Sequence, residues 1–116
     1  LTERLHEKAY LNAYTYYKTG KYKSAIVAFK NALKQYPESK RREEIMYLIV
    51  DSGYRLASNS ISEKQTDRYL SMLDSYLSFK EEFPESKYTK EVDRMAKHAR
   101  DYLDRNKKDE DKDNNI

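Results

Sequence analysis

Apolar side chains recur along this chain with the period of a helix, and polar residues fill the positions between them. The clearest run lies over residues 22–36, where Tyr22, Ala25, Ile26, Phe29, Ala32, Leu33 and Tyr36 follow 3-1-3-3-1-3 spacing. That spacing places all seven on one face of a helix. Gly20 stands just before the run, free to take the positive φ that ends a preceding helix. Pro37 stands just after it. It lacks an N–H and disfavours helical backbone at Tyr36, so the helix stops there. Ala25 and Ala32 are small where two helices must approach closely. Residues 2–19 carry their own stripe of Leu5, Ala9, Ala13, Tyr16 and Tyr17, so the two segments predict a helical hairpin.

Three further helices follow by the same reading. One over 40–58 turns Ile45, Leu48, Ile49, Leu56 and Ala57 inward. One over 63–83 turns Tyr69, Met72, Leu73, Tyr76, Leu77 and Phe79 inward. The last starts at Lys87 and carries a stripe of Tyr88, Val92, Met95, Ala96, Ala99, Tyr102 and Leu103. Ser39 is placed to cap the third helix, and Ser62-Glu-Lys-Gln65 fits a capping box for the fourth. From Lys107 onward the charged run reads as a solvated, frayed tail.

An internal repeat sets the architecture. Tyr36-Pro-Glu-Ser-Lys40 recurs as Phe83-Pro-Glu-Ser-Lys87, 47 positions later. The segment from Tyr17 to Pro37 resembles the second half of a tetratricopeptide (TPR) unit, whose usual repeat is about 34 residues. The wider spacing here implies a second unit with longer helices and a longer turn around Asn59 and Ser62. A helical hairpin of this kind cannot bury its apolar face alone and stacks on neighbours. The expected fold is all-α: TPR-like helical hairpins in a right-handed superhelix of about five helices. Residues 1–106 form the repeat domain, with a first hairpin at 1–39, a long second hairpin at 40–86 and a capping helix at 87–106. Residues 107–116 form a charged flexible tail.

Composition narrows the function. The chain has 116 residues, room for one modest domain. With 38% hydrophobic and 37% charged residues it is polar for a compact globule, but suited to a thin solenoid. Only two Gly and two Pro favour long, uninterrupted helices. The absence of Cys excludes disulfides, Cys-based zinc sites and thiol catalysis. No apolar run approaches the length of a membrane-spanning helix. The chain begins with Leu and carries no signal-peptide pattern, so it reads as a piece of a longer precursor or a mature form. The net charge of +3 is spread over interspersed acids and bases, with no single-sign field that would suggest nucleic acid.

No catalytic constellation stands out. His6 and His98 have no ligand-spaced companions and read as surface or helix-face residues. Glu43-Glu44, Glu81-Glu82 and Asp109-Glu110-Asp111 fall on solvated faces or in the tail, not in an apolar pocket that would tune a carboxyl group for proton transfer. There is no Gly-rich phosphate loop and no nucleophile elbow. The expectation is therefore no enzyme, no cofactor and no metal.

Twelve tyrosines and no Trp make the unusual feature. Tyr pairs an apolar ring with a polar tip and suits half-buried grooves and interfaces. In TPR units the first helix of each hairpin lines the concave groove. On the first helix that points to Glu7, Tyr10, Tyr14, Tyr17 and Lys18, spaced along one side. On the third helix it points to Glu44, Tyr47, Asp51, Tyr54 and Arg55. Aligning Tyr17-Lys18 with Tyr54-Arg55 also pairs Tyr10 with Tyr47. The expected site is a groove with a tyrosine wall and a basic end, suited to a peptide or domain edge carrying carboxylates. The plainer alternative is that these tyrosines pack between adjacent hairpins and touch no partner.

Several segments together resemble the BamD family, the TPR lipoproteins of the outer-membrane β-barrel assembly machinery. They are Glu7-Lys-Ala-Tyr10, Tyr16-Tyr-Lys-Thr-Gly20-Lys-Tyr22, Val27-Ala-Phe29-Lys-Asn, Tyr36-Pro-Glu-Ser, Glu43-Glu-Ile-Met-Tyr47 and Phe83-Pro-Glu-Ser-Lys-Tyr88. The resemblance covers residues 1–106 and is to the family's C-terminal half. The long second unit, with its Ala57-Ser-Asn-Ser60 turn, is similar to Bacteroidetes-type members. It implies a place at the periplasmic face of the outer membrane, an N-terminal lipidated Cys as the only membrane tie, and contact with the periplasmic domains of the barrel insertase and other subunits. This chain lacks that Cys and the N-terminal repeats. A scaffold of the assembly machinery is the leading reading; a generic TPR peptide-binding, co-chaperone-like module is the alternative. A nucleic-acid-binding helical repeat is the third, against which the mixed charge argues.

Overall fold

A computed structural model describes the backbone of residues 2–114 and the side chains of residues 2–107. The described residues form five helices and no strand: α1 (Thr2–Lys18), α2 (Tyr22–Gln35), α3 (Arg42–Ser58), α4 (Ser62–Glu82) and α5 (Thr89–Asn114). Each helix packs on the next, and α5 also packs on α3. The result is two layers, with α1, α3 and α5 in one and α2 and α4 in the other. The molecule is elongated, 64 × 29 × 19 Å. No described helix is long and apolar enough to cross a membrane.

Local chemistry explains the breaks. Gly20 takes φ 78°. Its N–H donates to the Tyr17 carbonyl at 3.1 Å, and the Lys21 N–H reaches the Tyr16 carbonyl at 2.9 Å. This is a Schellman closure, and it lets α2 begin at once. The two Pro-Glu-Ser turns repeat bond for bond. Ser39 and Ser86 each donate N–H to the aromatic carbonyl three residues back, at 3.1 and 3.2 Å. Each hydroxyl oxygen accepts the N–H two residues on, from Arg41 at 3.1 Å and from Tyr88 at 3.0 Å. Ser39 is thus a turn-former rather than the cap itself, and α3 starts at Arg42 rather than Lys40.

The core has two clusters that share α3. Tyr10, Ala13, Ala25 and Phe29 pack with Ile45, Leu48 and Ile49. Val50 and Ala57 pack with Tyr69, Met72, Phe79, Val92, Met95 and neighbours. Phe29 and Phe79 are fully buried, each worth roughly 1.5–3 kcal/mol by burial. Because α3 is enclosed by α2 and α4 on one side and by α1 and α5 on the other, Leu48 through Gly53 are all buried. A single apolar stripe does not anticipate that. At Gly53 an added Cβ would sit 3.3 Å from Met72 Cβ, so α3 and α4 lie in close contact there.

Four expectations need correction. Leu5 and Tyr16 of the first stripe are exposed at 52% and 37%, and Tyr10 is buried instead. The hairpin turns Tyr10 and Ala13 toward α2 and α3, leaving the Leu5 side on an outer face. Leu77 also points outward. Ser62 makes no capping box. Ile61 caps α4, no side chain bonds the helix start, and Gln65 instead donates to the Ala57 carbonyl at 3.0 Å, satisfying the end of α3. Finally, α5 does not stop near residue 106 but continues to Asn114, since no Gly or Pro intervenes. Leu1 and the side chains of the expected tail beyond Lys107 lie outside the described residues.

Candidate functional site

The sequence aligned α1 with α3 at an offset of 37, by type. The structure joins them at an offset of 34. The Tyr10 hydroxyl donates to Glu44 Oε1 at 2.7 Å, and the Tyr17 hydroxyl donates to Asp51 Oδ2 at 2.5 Å. Arg41 donates to both carboxylate oxygens of Glu7, at 2.8 and 2.7 Å. These three contacts all span 34 residues. Equivalent positions therefore sit one helical turn out of step across the interface. Tyr14 lies between Tyr10 and Tyr17, 5.6 Å from each ring.

Arginines finish each rung. Arg41 also bonds Glu44 at 2.9 Å and lies 4.1 Å over the Tyr10 ring. Arg55 donates Nε to Asp51 at 2.8 Å and lies 5.9 Å from the Tyr17 ring. Asp51 is almost fully buried, at 1% exposed, and accepts from two donors. That is how a carboxylate survives inside the array. Burial, then the carboxylate acceptor, pushes the Tyr10 and Tyr17 hydroxyls above the usual phenol range. Glu7 is held below the usual carboxylate range, chiefly by its Arg41 hydrogen bond.

The pattern recurs between α3 and α5. Arg41 and Tyr88 occupy the same place after each Pro-Glu-Ser-Lys. Where Arg41 covers Tyr10, Tyr88 stacks flat on Tyr47 at 4.1 Å and 6°. Where Tyr17 meets Asp51, Tyr54 meets His98 through its ring Nδ1. Beside this interface Arg42 of α3 pairs with Glu82 at the end of α4, and Ser86, in the turn before α5, donates to Glu43 at 2.5 Å.

Eight of the ten expected residues are thereby held in contacts between helices, and the ring partners of Tyr14, Tyr10 and Tyr17, lie on its own helix. Lys18 is exposed and joins none of them. Most of the tyrosine wall therefore packs as a zipper between helices of the fold. Arg41, Tyr88 and His98 were missed. Arg41 carried a legible signal, standing one TPR repeat length after Glu7. His98 carried none, since its partner is set by the α3–α5 register.

Chemically, the face holds protonated phenols and paired carboxylates, an arrangement for holding shape rather than moving protons. No group of three or more metal-ligating side chains occurs among the described residues. Over residues 2–108 the chain matches the family described as YfiO, outer membrane lipoprotein. The chain belongs to the YfiO family. Among curated proteins none matches it. What this YfiO-family chain leaves open on the α1–α3–α5 face is its outward edge. Tyr14 is half-buried, Lys18 is exposed, and the side chains of Arg55 and Arg94 are 50% and 61% exposed. The resemblance read from the sequence and the family match agree on an outer membrane lipoprotein with a helical-repeat fold.

Proposed function

We propose that this chain is a non-catalytic protein–protein scaffold, the C-terminal part of a BamD-like subunit of the machinery that assembles outer-membrane β-barrel proteins. The observation that carries the reading is the family match over residues 2–108. The full protein sits at the periplasmic face of the outer membrane on an N-terminal lipid anchor, and the long α3–α4 hairpin is of Bacteroidetes type. Its partners are the periplasmic domains of the barrel insertase and neighbouring subunits.

The candidate residues divide into two roles. Glu7, Tyr10, Tyr17, Glu44, Tyr47, Asp51 and Tyr54 set the spacing of α1, α3 and α5. Tyr14, Lys18 and Arg55 present the ring and cations that meet a carboxylate-bearing domain edge. A free peptide is the weaker fit, because a two-carboxylate clamp needs two uncommitted cations, and Arg55 gives its Nε to Asp51.

The test is capture of the insertase from solubilised envelope by the wild-type chain and by Lys18→Glu/Arg55→Gln. Gln keeps an N–H for Asp51 while removing the charge. Capture by the wild type and loss in the variant is expected. Capture of the insertase by neither would refute the scaffold reading, and equal capture by both would move the contact off this face.

A further inference from the structure

The seam between α2 and α4 is open. α3 packs on both helices, and a channel runs between the two on the side away from the α1–α3–α5 edge. The cause is local. α4 turns Ser71, Ser75 and Ser78 toward α2 on one side of the helix, and these short side chains leave a gap that larger ones would fill. The channel consists of two hollows of about 290 and 230 Å³, which share Lys30, Ile49 and Ser75. Their lining includes half-buried apolar side chains, Leu33 and Met46 in one, Ile26 and Leu56 in the other. Every wall belongs to α2, α3 or α4. Repeats stacked before α1 or after α5 would lie beside the channel rather than on it.

Cations dominate its rim. Lys23, Lys30 and Arg68 line the channel, against Asp74 as the one carboxylate. Among the described residues no carboxylate pairs with any of these three cations. Arg68 gives an N–H to the Ser60 hydroxyl at 2.5 Å, which holds its guanidinium and leaves the charge uncompensated. From Arg68 to Ser78 the α4 wall runs for about 15 Å. A polyproline-II segment of about five residues spans that length. Each hollow is below the usual small-molecule site of about 300–1,000 Å³, and suits a side chain rather than a whole ligand.

We propose that the α2–α4 channel docks a short, extended, acidic segment of another polypeptide, with an apolar side chain in each hollow and carboxylates against the rim. Ile26 and Leu33, one in each hollow, are seven positions apart on α2, so the hollows lie about 10 Å apart. Residues three apart in a polyproline-II chain lie on one side at about 9 Å, which matches that spacing. Carboxylates beside these anchors face Lys23, Lys30 and Arg68, and the α4 serines supply hydroxyls for the segment's backbone. The contact weakens with salt without vanishing, since the apolar anchors persist when the charges are screened. It uses none of Tyr14, Lys18 and Arg55, so this inference stands apart from the scaffold reading.

Panning a phage-displayed library of random short peptides on the chain tests it. The expected winners carry two apolar residues three apart with Asp or Glu beside them. The best of them, as a free labelled peptide, is titrated by fluorescence anisotropy against wild type and variants, with circular dichroism confirming that each variant is folded. Lys30→Glu and Ser75→Glu each place a carboxylate in both hollows and leave the α1–α3–α5 edge untouched. Each is expected to weaken binding at least about tenfold. No enrichment of acidic, apolar sequences would overturn the proposal, as would equal binding by the wild type and both channel variants. Loss of binding in Lys18→Glu/Arg55→Gln with none in the channel variants would assign the peptide to the scaffold edge and equally overturn it. Vesicles containing phosphatidylglycerol that bind the wild type but not Lys30→Glu, with no peptide enriched, would make the rim a lipid-headgroup surface and refute the peptide reading.

Discussion

Replacing Asp51 by Ala is expected to destabilise the fold out of proportion to its size. Asp51 is 1% exposed and accepts from the Tyr17 hydroxyl at 2.5 Å and Arg55 Nε at 2.8 Å. Its loss leaves the half-buried Tyr17 hydroxyl without an acceptor, at about 1–2 kcal/mol. The Arg55 side chain is 50% exposed, so water replaces most of that bond, and about 0.5 kcal/mol is assigned to it. A small void inside the array brings the total to about 2–3 kcal/mol. Glu44→Ala is the control. Its side chain is 32% exposed, so its loss is compensated by water and costs about 1 kcal/mol. Urea unfolding followed by circular dichroism measures both. Each kcal/mol also moves Tm by roughly 4–8 °C in a domain near this size. A cycle of Tyr17→Phe with Asp51→Asn should show coupling of about 1 kcal/mol. Equal costs for Asp51→Ala and Glu44→Ala, or strict additivity in the cycle, would refute the zipper as the tie between α1 and α3.

Other outcomes follow from the same geometry. Gly20→Ala should cost about 1 kcal/mol in urea midpoint experiments, from backbone strain alone, because φ is 78° while nothing stands within 4 Å of an added Cβ. Ser39→Ala should cost about 1 kcal/mol by the same assay, because the Arg41 N–H loses its acceptor at a buried turn. Stability should be greatest between the carboxylate and phenol ranges. Tyr10, Tyr17, Tyr47 and Tyr76 have folded pKa values above their unfolded ones, so their contribution is full below about pH 10 and lost as pH rises further. Glu7, Glu82 and Asp93 have lowered values, so theirs is present above about pH 4.5 and lost as pH falls. Urea midpoints across pH that stayed flat at both ends would contradict this.

The parts of the fold that were legible in the sequence depend on local chemistry. Gly20, Pro37 and Pro84 act on their own backbone and immediate neighbours, so three of the four breaks between the helices follow from the chain read in order, and the polar stretch at Asn59–Ser62 marks the fourth. Small buried residues such as Ala25 and Ala32 were equally plain. Faces were harder. Periodicity identifies an apolar side but not what covers it, and so Leu5, Tyr16 and Leu77 were turned inward when they lie on outer surfaces. Register was hardest of all. That Tyr17 meets Asp51 rather than Tyr54 depends on how far α1 slides along α3, and residue type alone suggested an offset of 37. Ser62-Glu-Lys-Gln65 fits a capping box as a string, but Gln65 finds a better use at the unsatisfied end of α3. The family resemblance was legible in part because several of the segments that carry it, Tyr16–Tyr22, Tyr36–Ser39 and Phe83–Tyr88, lie at helix breaks, where local rules hold.

Hydrogen–deuterium exchange of the chain with and without the purified periplasmic domains of the barrel insertase is the most direct test of the scaffold reading. Protection on binding is expected in the last turns of α1 and α3, around Tyr14, Lys18 and Arg55, and it should fall in Lys18→Glu/Arg55→Gln. No protection anywhere, or protection confined to α2 and α4, would contradict it.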